Sequence, residues 1–534
     1  MKWPSRIFWA GGLALIGLGV LARFYAVTNP DFVYYDEGLY LIHNIKLLYF
    51  LDANPPHTFA LWMESLGACW QAALSDTKTL WFFLVSLRVF ICGVDCLVFP
   101  KVLSAVFGAL TIPVVYVFGR RLFSSRSAGL LSAVLLAVLP GHIYYSRLGL
   151  QEALSALCFS LGFFCYLTGR RWWVRSLVAG FWFGCVFFTN YRMIIIPALL
   201  FAVEAVLWAG ERAAADWRRW LYATLTFAAV VFGVGALNDG ANTKVTFGWM
   251  FHQAHSSAGT FDWFNLWSYP FYQFYLESPI WGALFVAQGF RAVRKCDRQS
   301  ALWIVVFAMM ALFSLPQEKG VRYLCSALPL LCLSTGAFLR QGWLFSVDKR
   351  WRPALAAVVL LMLGWHALEG WRISRWTTGY ARAVEDLKEK QPYSLKMSSS
   401  QPVLMGVIAG EGHLAAKPAV TFSRLVTLRR LGYRYLVLDP QAYVSYTENG
   451  YRFEKKLTPF LEFIRKNIPP ETVYPHFSKR LLARFVLEHN ENLRRSLAFI
   501  RYAKDQPVNR LYVYDINKIF IAAEYFLNAK NHDR

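Results

Sequence analysis

The sequence predicts a polytopic α-helical membrane protein of about eleven transmembrane helices with a C-terminal extracytoplasmic α/β domain. Three observations carry this. The 534 residues are 56% hydrophobic and 17% aromatic, and only 17% are charged, against about 25% in soluble domains. Apolar runs recur at the length a bilayer core requires, roughly 20 residues each. The charge is also uneven: residues 1–370 hold 29 Lys/Arg and 18 Asp/Glu, while residues 371–534 hold 27 and 15. This balance excludes a disordered chain, a disulfide-rich miniprotein and a single soluble domain, and nothing in it points to nucleic acid. Residues 1–370 therefore form the membrane domain, with external loops at 28–99 and 238–278, and residues 371–534 form the soluble domain.

The expected spans are 7–27, 101–119, 128–145, 150–168, 174–190, 193–209, 220–237, 279–290, 301–316, 323–339 and 354–370. The first is read as an uncleaved anchor rather than a signal peptide, since no small-residue cleavage site follows it. Orientation follows from charge. Lys2 and Arg6 share a side with Arg120, Arg121 and Arg126, with Arg170, Arg171 and Arg175, and with Arg212, Arg218 and Arg219. The loops bearing Arg291, Arg294, Lys295 and Arg298, and Arg340, Lys349, Arg350 and Arg352, fall on it as well. By the positive-inside rule that side is cytoplasmic, which leaves residues 371–534 outside. Residues 79–99 are apolar but contain Arg88 and Asp95. A span there would invert every later loop, so the segment is read as a helix at the outer surface or packed on the bundle.

None of the nine cysteines lies in the tail. Cys92 and Cys96 are spaced either to pair or to share a helix face, and the helix face is the preferred reading.

The informative charges are those that break the pattern. Arg147, Arg192, Lys319 and Arg322 sit on the charge-poor external side, within Tyr144-Tyr145-Ser146-Arg147, Thr189-Asn190-Tyr191-Arg192 and Gln317-Glu318-Lys319 running into Arg322-Tyr323. One terminal Arg can snorkel to lipid headgroups. Four of them beside Tyr or Asn suggest an anion site, because the planar guanidinium suits phosphate. Opposite them stands Tyr34-Tyr35-Asp36-Glu37-Gly38-Leu39-Tyr40, after the break at Asn29-Pro30. Two adjacent acids among tyrosines read equally well as a pocket-facing pair or as helix-capping groups. Glu152, five residues after Arg147, opens the next span, where capping is again the plainer reading.

At this point the chain resembles a family. Tyr35-Asp36-Glu37 is similar to the acidic first-loop motif of the polytopic glycosyltransferases of GT-C fold, in the protein O-mannosyltransferase and lipid A aminoarabinose transferase branches. Gly-Ala-Leu-Thr-Ile-Pro at 108–113, Gly-Arg-Arg-Leu-Phe at 119–123, Ala-Gly-Leu-Leu at 128–131 and Tyr-Tyr-Ser-Arg-Leu at 144–148 carry it further. Arg147 with Glu152, and Ser314, Lys319, Tyr323 and Pro329, resemble later motifs, although many members have Asp where Glu152 stands. The resemblance covers about residues 5–340.

It implies transfer of a sugar from a polyprenyl-phosphate donor to a protein, lipid or glycan acceptor, with inversion, at the outer face of a bacterial plasma membrane. Asp36 is then the general base, with Glu37 assisting or binding acceptor or metal. Arg147, Arg192, Lys319 and Arg322 hold the donor phosphate, Tyr323 orients it, and Glu152 lines the same site. The two sets are expected to share one cavity. No cofactor is fixed by the residues, and a divalent metal ion stays open. His252 and His255 have ligand spacing but no third partner. The alternative is a transporter or flippase for polyprenyl-linked lipid, against which stands the absence of two halves with matching broken helices.

In the tail, Tyr380–Lys390 and 423–431 read as helices. Pro402–Ile408, Tyr433–Leu438, Leu481–Leu487 and Leu511–Tyr514 read as strands. Gly406, Gly410 and Gly412 do not make a dinucleotide fingerprint.

Overall fold

The computed structural model describes residues 5–29, 32–168, 171–237, 244, 248, 263–316, 320–340, 350–410 and 413–416. Beyond these it describes 421–439, 444–447, 450–453, 459–475, 479–488, 492–505 and 510–532. These residues form two compact units: one of Met1–Thr28 with Asn44–Arg375, the other of Asn29–His43 with Trp376–Arg534.

The first unit is helical, as apolar chain in hydrocarbon must be, because only a helix or a closed barrel satisfies its own backbone there. Each expected span falls mainly on helix, with 128–145 broken at Leu139 into Arg126–Val138 and Pro140–Tyr145. Seven helices among the described residues are long and apolar enough to cross a membrane: Arg6–Phe24, Phe99–Leu122, Trp172–Thr189, Tyr191–Gly210, Trp217–Ala236, Val321–Phe338 and Arg352–Ser374. Arg126–Val138, Glu152–Leu167, Pro279–Lys295 and Arg298–Phe313 are shorter. Side-chain caps mark several starts. Ser125 accepts from the Ala128 N–H at 3.2 Å, Ser278 from Trp281 at 3.1 Å and Asp297 from Ser300 at 2.9 Å. Each satisfies an amide that has no partner inside its helix.

The segment 79–99 is not one helix. It breaks at Leu87 into Thr79–Ser86 and Arg88–Ile91, neither long enough to span. Arg88 is buried and donates through Nε to the Val94 carbonyl at 2.9 Å. The preferred helix-face reading of Cys92 and Cys96 is corrected here: the two are joined by a disulfide. The helix ends before Cys92, and Gly93 at φ 88° turns the chain back, so helical spacing never applies. With Leu48, Leu51, Cys69, Val89 and Val94 packed together, the region has a small core of its own.

At the opposite helix ends lies a buried ion pair. The Glu204 carboxylate, fully buried, accepts from Tyr166 Oη at 2.5 Å, from Arg219 Nη2 at 2.7 Å and from the Asp216 N–H at 2.7 Å. Removing one member strands the others away from water. Glu204→Ala is expected to cost about 3–5 kcal/mol, read as a lowered melting temperature of the detergent-solubilised protein. An unchanged melting temperature would show that the pair is replaceable by water.

The second unit is α/β. Its strands are β1 Lys396–Ser399, β2 Leu414–Ala416, β3 Tyr435–Leu438, β4 Val444–Thr447, β5 Gly450–Phe453, β6 Thr472–Pro475 and β7 Arg510–Asp515. Five make one sheet in the order β2-β1-β3-β7-β6, and β4 and β5 form a separate hairpin. β1 runs parallel to β2 and β3, whereas β7 is antiparallel to β3 and β6. Two expected strands are helices instead: Pro402–Ala409 and Lys479–Glu488. Pro402 at the first helical turn and Gly410 at φ 81° just beyond the last are helix start and stop signals. The true strand before it, Lys-Met-Ser-Ser, has little β-propensity and takes its place through pairing on both sides. The expected helices at 380–390 and 423–431 and the strands at 433–438 and 511–514 lie where the sequence places them.

Candidate functional site

The acidic motif lies in the second unit, in the helix Tyr35–Ile42. Tyr34 holds the N-cap position in extended conformation, which puts Asp36 and Glu37 in the first turn at the positive end of the helix dipole. The two acids then differ. Glu37 is buried, and its Oε2 reaches back to accept from the Val33 and Tyr34 N–H groups at 2.7 and 2.9 Å. This is the reciprocal half of a capping box. Glu37 thus organises the entry to the helix. Asp36 is half-buried and is not the cap.

The helix is anchored inside its own unit. Phe32, Val33, Tyr34, Tyr40 and Leu41 are buried, and Tyr34 stacks on Phe485 with ring centroids 5.9 Å apart. Gly38 faces the first turn of Pro402–Ala409. A Cβ there would lie 3.3 Å from the Leu404 Cα and N and 3.2 Å from Val403 Cγ1. Two of those three atoms are backbone and yield little. Gly38→Val is therefore expected to destabilise by about 1–3 kcal/mol through overpacking and to displace Asp36. Thermal melting and transfer assays on the same preparation check this; wild-type values in both would show that the contact is slack.

The basic residues belong to the first unit. Arg192 lies in the 3-10 turn Tyr191–Ile195, where Asn190 Oδ1 accepts the Arg192 N–H at 3.2 Å. Arg322 and Tyr323 lie in a second such turn, Val321–Ala327. The fold brings these three together. The Arg192 guanidinium sits 4.0 Å from the Tyr323 ring centroid and that of Arg322 sits 5.6 Å from it, with Tyr191 flanking Arg192 at 4.9 Å. Both arginines are half-buried, and Tyr323 is buried. Stacking engages the face of a guanidinium, whereas phosphate is recognised by its in-plane N–H groups, so the two uses are compatible. Tyr269 fixes the approach to the second turn by donating its hydroxyl to the Gly320 carbonyl at 3.2 Å.

Arg147 is engaged differently. Its Nη1 donates to the carbonyls of Ala22 at 2.8 Å and Tyr25 at 2.6 Å, and its Nη2 to that of Ser374 at 2.7 Å. Ala22 and Ser374 lie in the last turns of Ser5–Phe24 and Arg352–Ser374, whose final carbonyls lack amide partners within the helix, and Tyr25 follows the first directly. Arg147 is a tie between helix ends. Glu152 is buried in the first turn of Glu152–Leu167. One turn on, Ser155 and Ser326 hydroxyls bond at 2.8 Å, linking that helix to the Arg322 turn. Lys319, Trp249, His252, His255 and Gly412 lie outside the described residues. Among the described residues no group of three or more His, Cys, Asp or Glu is arranged to hold a metal ion.

Residues missed from sequence are three buried polar groups: Arg23 and His142 inside expected spans, and Glu277 just before one. The signal was present in Arg23 at the end of an apolar run and in Pro140 within one.

Helices packed as a membrane bundle, with a small mixed sheet after them, define a polytopic membrane protein of the GT-C glycosyltransferase fold. Residues 79–236 match the family model described as dolichyl-phosphate-mannose-protein mannosyltransferase. The chain is similar to protein O-mannosyl-transferase 1 of Mus musculus, 28% identical over 210 residues, which is 36% of this chain and 27% of the relative. The Homo sapiens protein of the same name is 27% identical over 219 residues, with the same coverage. The chain thus spans about a quarter of the length of the curated relatives it matches. Among solved structures, ArnT from Cupriavidus metallidurans bound to undecaprenyl phosphate shares the fold at TM-score 0.55 and 13% identity, over 89% of this chain and 96% of that one. Its apo form gives TM-score 0.54 and 15% identity over 81% and 94%.

Proposed function

We propose that this protein is a glycosyltransferase that moves a sugar from a polyprenyl-phosphate donor to an acceptor, with inversion at the anomeric carbon. The observation that carries the reading is the convergence of Arg192 and Arg322 on the Tyr323 ring, in a chain with the fold of an undecaprenyl-phosphate-binding transferase. Breaking the anomeric C–O bond leaves both bonding electrons on the phosphate. Guanidinium groups already in place stabilise that charge without reorganising water, usually the largest catalytic contribution. Arg192 and Arg322, with Lys319 three residues before Arg322 in sequence, take this role, and Tyr323 orients the pair. Asp36 accepts the proton of an attacking hydroxyl, while Glu37 holds its helix. A protein hydroxyl is the acceptor favoured by the mannosyltransferase match.

The membrane is a bacterial plasma membrane. The Lys/Arg-rich loops lie in the cytoplasm, and the acidic motif and the C-terminal unit lie outside. The Cys92–Cys96 disulfide supports this orientation, since disulfides persist in oxidising compartments.

The test is reconstitution of the purified protein with a polyprenyl-phosphate carrying a radiolabelled sugar. Label should pass to acceptor while free lipid phosphate accumulates in equal amount. Lipid that crosses the bilayer with its sugar still attached would favour a transporter and sink the proposal.

A further inference from the structure

We propose that Arg23 and Glu277 are positioning residues that hold open a helix break between Leu139 and Pro140 and so place the loop bearing Arg147. This rests on the glycosyltransferase reading only for its activity readout. Arg126–Val138 stops because Leu139, preceding a proline, is driven out of helical geometry to φ −63°, ψ 116°. In a continuous helix residue 140 would donate to the Leu136 carbonyl and Gly141 to that of Ala137. Proline has no N–H, and the turn carries Gly141 away. Two buried charges from distant segments replace those bonds.

On the carbonyl side, Arg23 Nη2 donates to Leu136 O at 3.0 Å and Nη1 to Ala137 O at 2.8 Å. On the amide side, the Gly141 N–H donates to Glu277 Oε2 at 3.0 Å. Arg23 and Glu277 are both buried, at 0% and 5% exposure, and their charges are opposite, so the arrangement adds no net charge to the hydrocarbon. Arg23 Nη2 also contacts His142 Nδ1 at 2.7 Å. Arg can only donate, so that nitrogen accepts and the imidazole carries its proton on Nε2. The short helix Pro140–Tyr145 that follows is thereby fixed at its start. At its far end Arg147 ties back to the carbonyls of Ala22 and Tyr25, on either side of Arg23. Each segment caps the other: Arg23 closes the helix before the break, and Arg147 closes the helix that carries Arg23. Irregular backbone at membrane depth persists only where protein satisfies it.

The experiment compares Glu277→Gln, Glu277→Ala and Glu277→Ala/Pro140→Ala in the full-length protein, by amide hydrogen exchange over residues 140–147 and by kcat and KM for transfer. Glu277→Gln keeps an acceptor and should stay within about threefold of wild type in both. Glu277→Ala strands the Gly141 N–H, so exchange should quicken by about tenfold or more, with kcat falling and KM little changed. Adding Pro140→Ala restores a donor and lets the helix run straight. Exchange should then return to the wild-type rate or slower, while transfer stays low because the loop is misplaced. Unchanged exchange in Glu277→Ala overturns the clamp. Recovery of transfer together with exchange in the double variant overturns positioning and leaves a purely structural role. Wild-type protein that transfers nothing overturns the functional reading and the positioning role with it, and exchange then still decides the clamp.

Discussion

Asp36→Asn is expected to lower kcat for sugar transfer by about 10²–10⁴-fold, the usual worth of a positioned general base, with the melting temperature unchanged. The amide has nearly the shape of the carboxylate and occupies the same first-turn position, so the helix Tyr35–Ile42 should form as before. What it lacks is basicity. Glu37→Gln separates the two acids. Glu37 accepts from two backbone N–H groups, and the glutamine oxygen accepts them too, only more weakly without its charge. That variant should lose stability before it loses chemistry. Were Glu37→Gln the inactive variant and Asp36→Asn the active one, the roles assigned here would be reversed. Raising the pH should not rescue Asp36→Asn, because asparagine has no proton to lose.

The membrane fold was legible because its signal is long and redundant. Each span needs about 20 apolar residues, and the basic clusters between them give an independent expectation for the order of crossings. The tail was less legible because a seven-residue apolar run such as Pro402–Ile408 suits a buried strand and a buried helix alike. There the terminal residues, Pro402 and Gly410, held the decisive information. Leu481–Leu487 failed differently: that window leaves out Arg480 and Glu488, which with Arg484 recur at every fourth residue and mark one face of the helix Lys479–Glu488.

The site divides along similar lines. Arg192 and Arg322 were visible as basic residues on a side expected to have few, Tyr323 as their neighbour, and Asp36 through the motif Tyr35-Asp36-Glu37. What the sequence could not disclose is which of these groups the fold uses for its own backbone. Arg147 and Glu37 look like ligand-binding residues from composition, yet both satisfy helix ends. That choice depends on which carbonyls and amides come within about 3 Å, and contacts such as Arg147 to Ser374, far apart along the chain, leave no local pattern. Cys92 and Cys96 were misread on a related assumption, helical spacing across a point where Gly93 reverses the chain.

The two arginines on Tyr323 give the other large effect. Arg192→Ala is expected to reduce kcat by about 10²–10³-fold, comparable to removing one donor to a developing negative charge. Arg322→Ala should follow the same course, more weakly, because its guanidinium lies farther from the shared ring. Lysine should restore little at position 192. Its ammonium keeps the charge but neither stacks as a plane nor offers two parallel N–H groups to one phosphate. Tyr323→Phe retains the ring and so should retain the stacking, which makes it the control that separates the aromatic platform from the hydroxyl. The double variant Arg192→Ala/Arg322→Ala should lose less than the product of the single losses, since both groups act through one ring and one anion. Binding of polyprenyl phosphate without sugar supplies the second readout, as it requires the anion site but no proton transfer. If the single variants bind that lipid as wild type does and turn over at the wild-type rate, phosphate is recognised elsewhere and the convergence on Tyr323 is only packing.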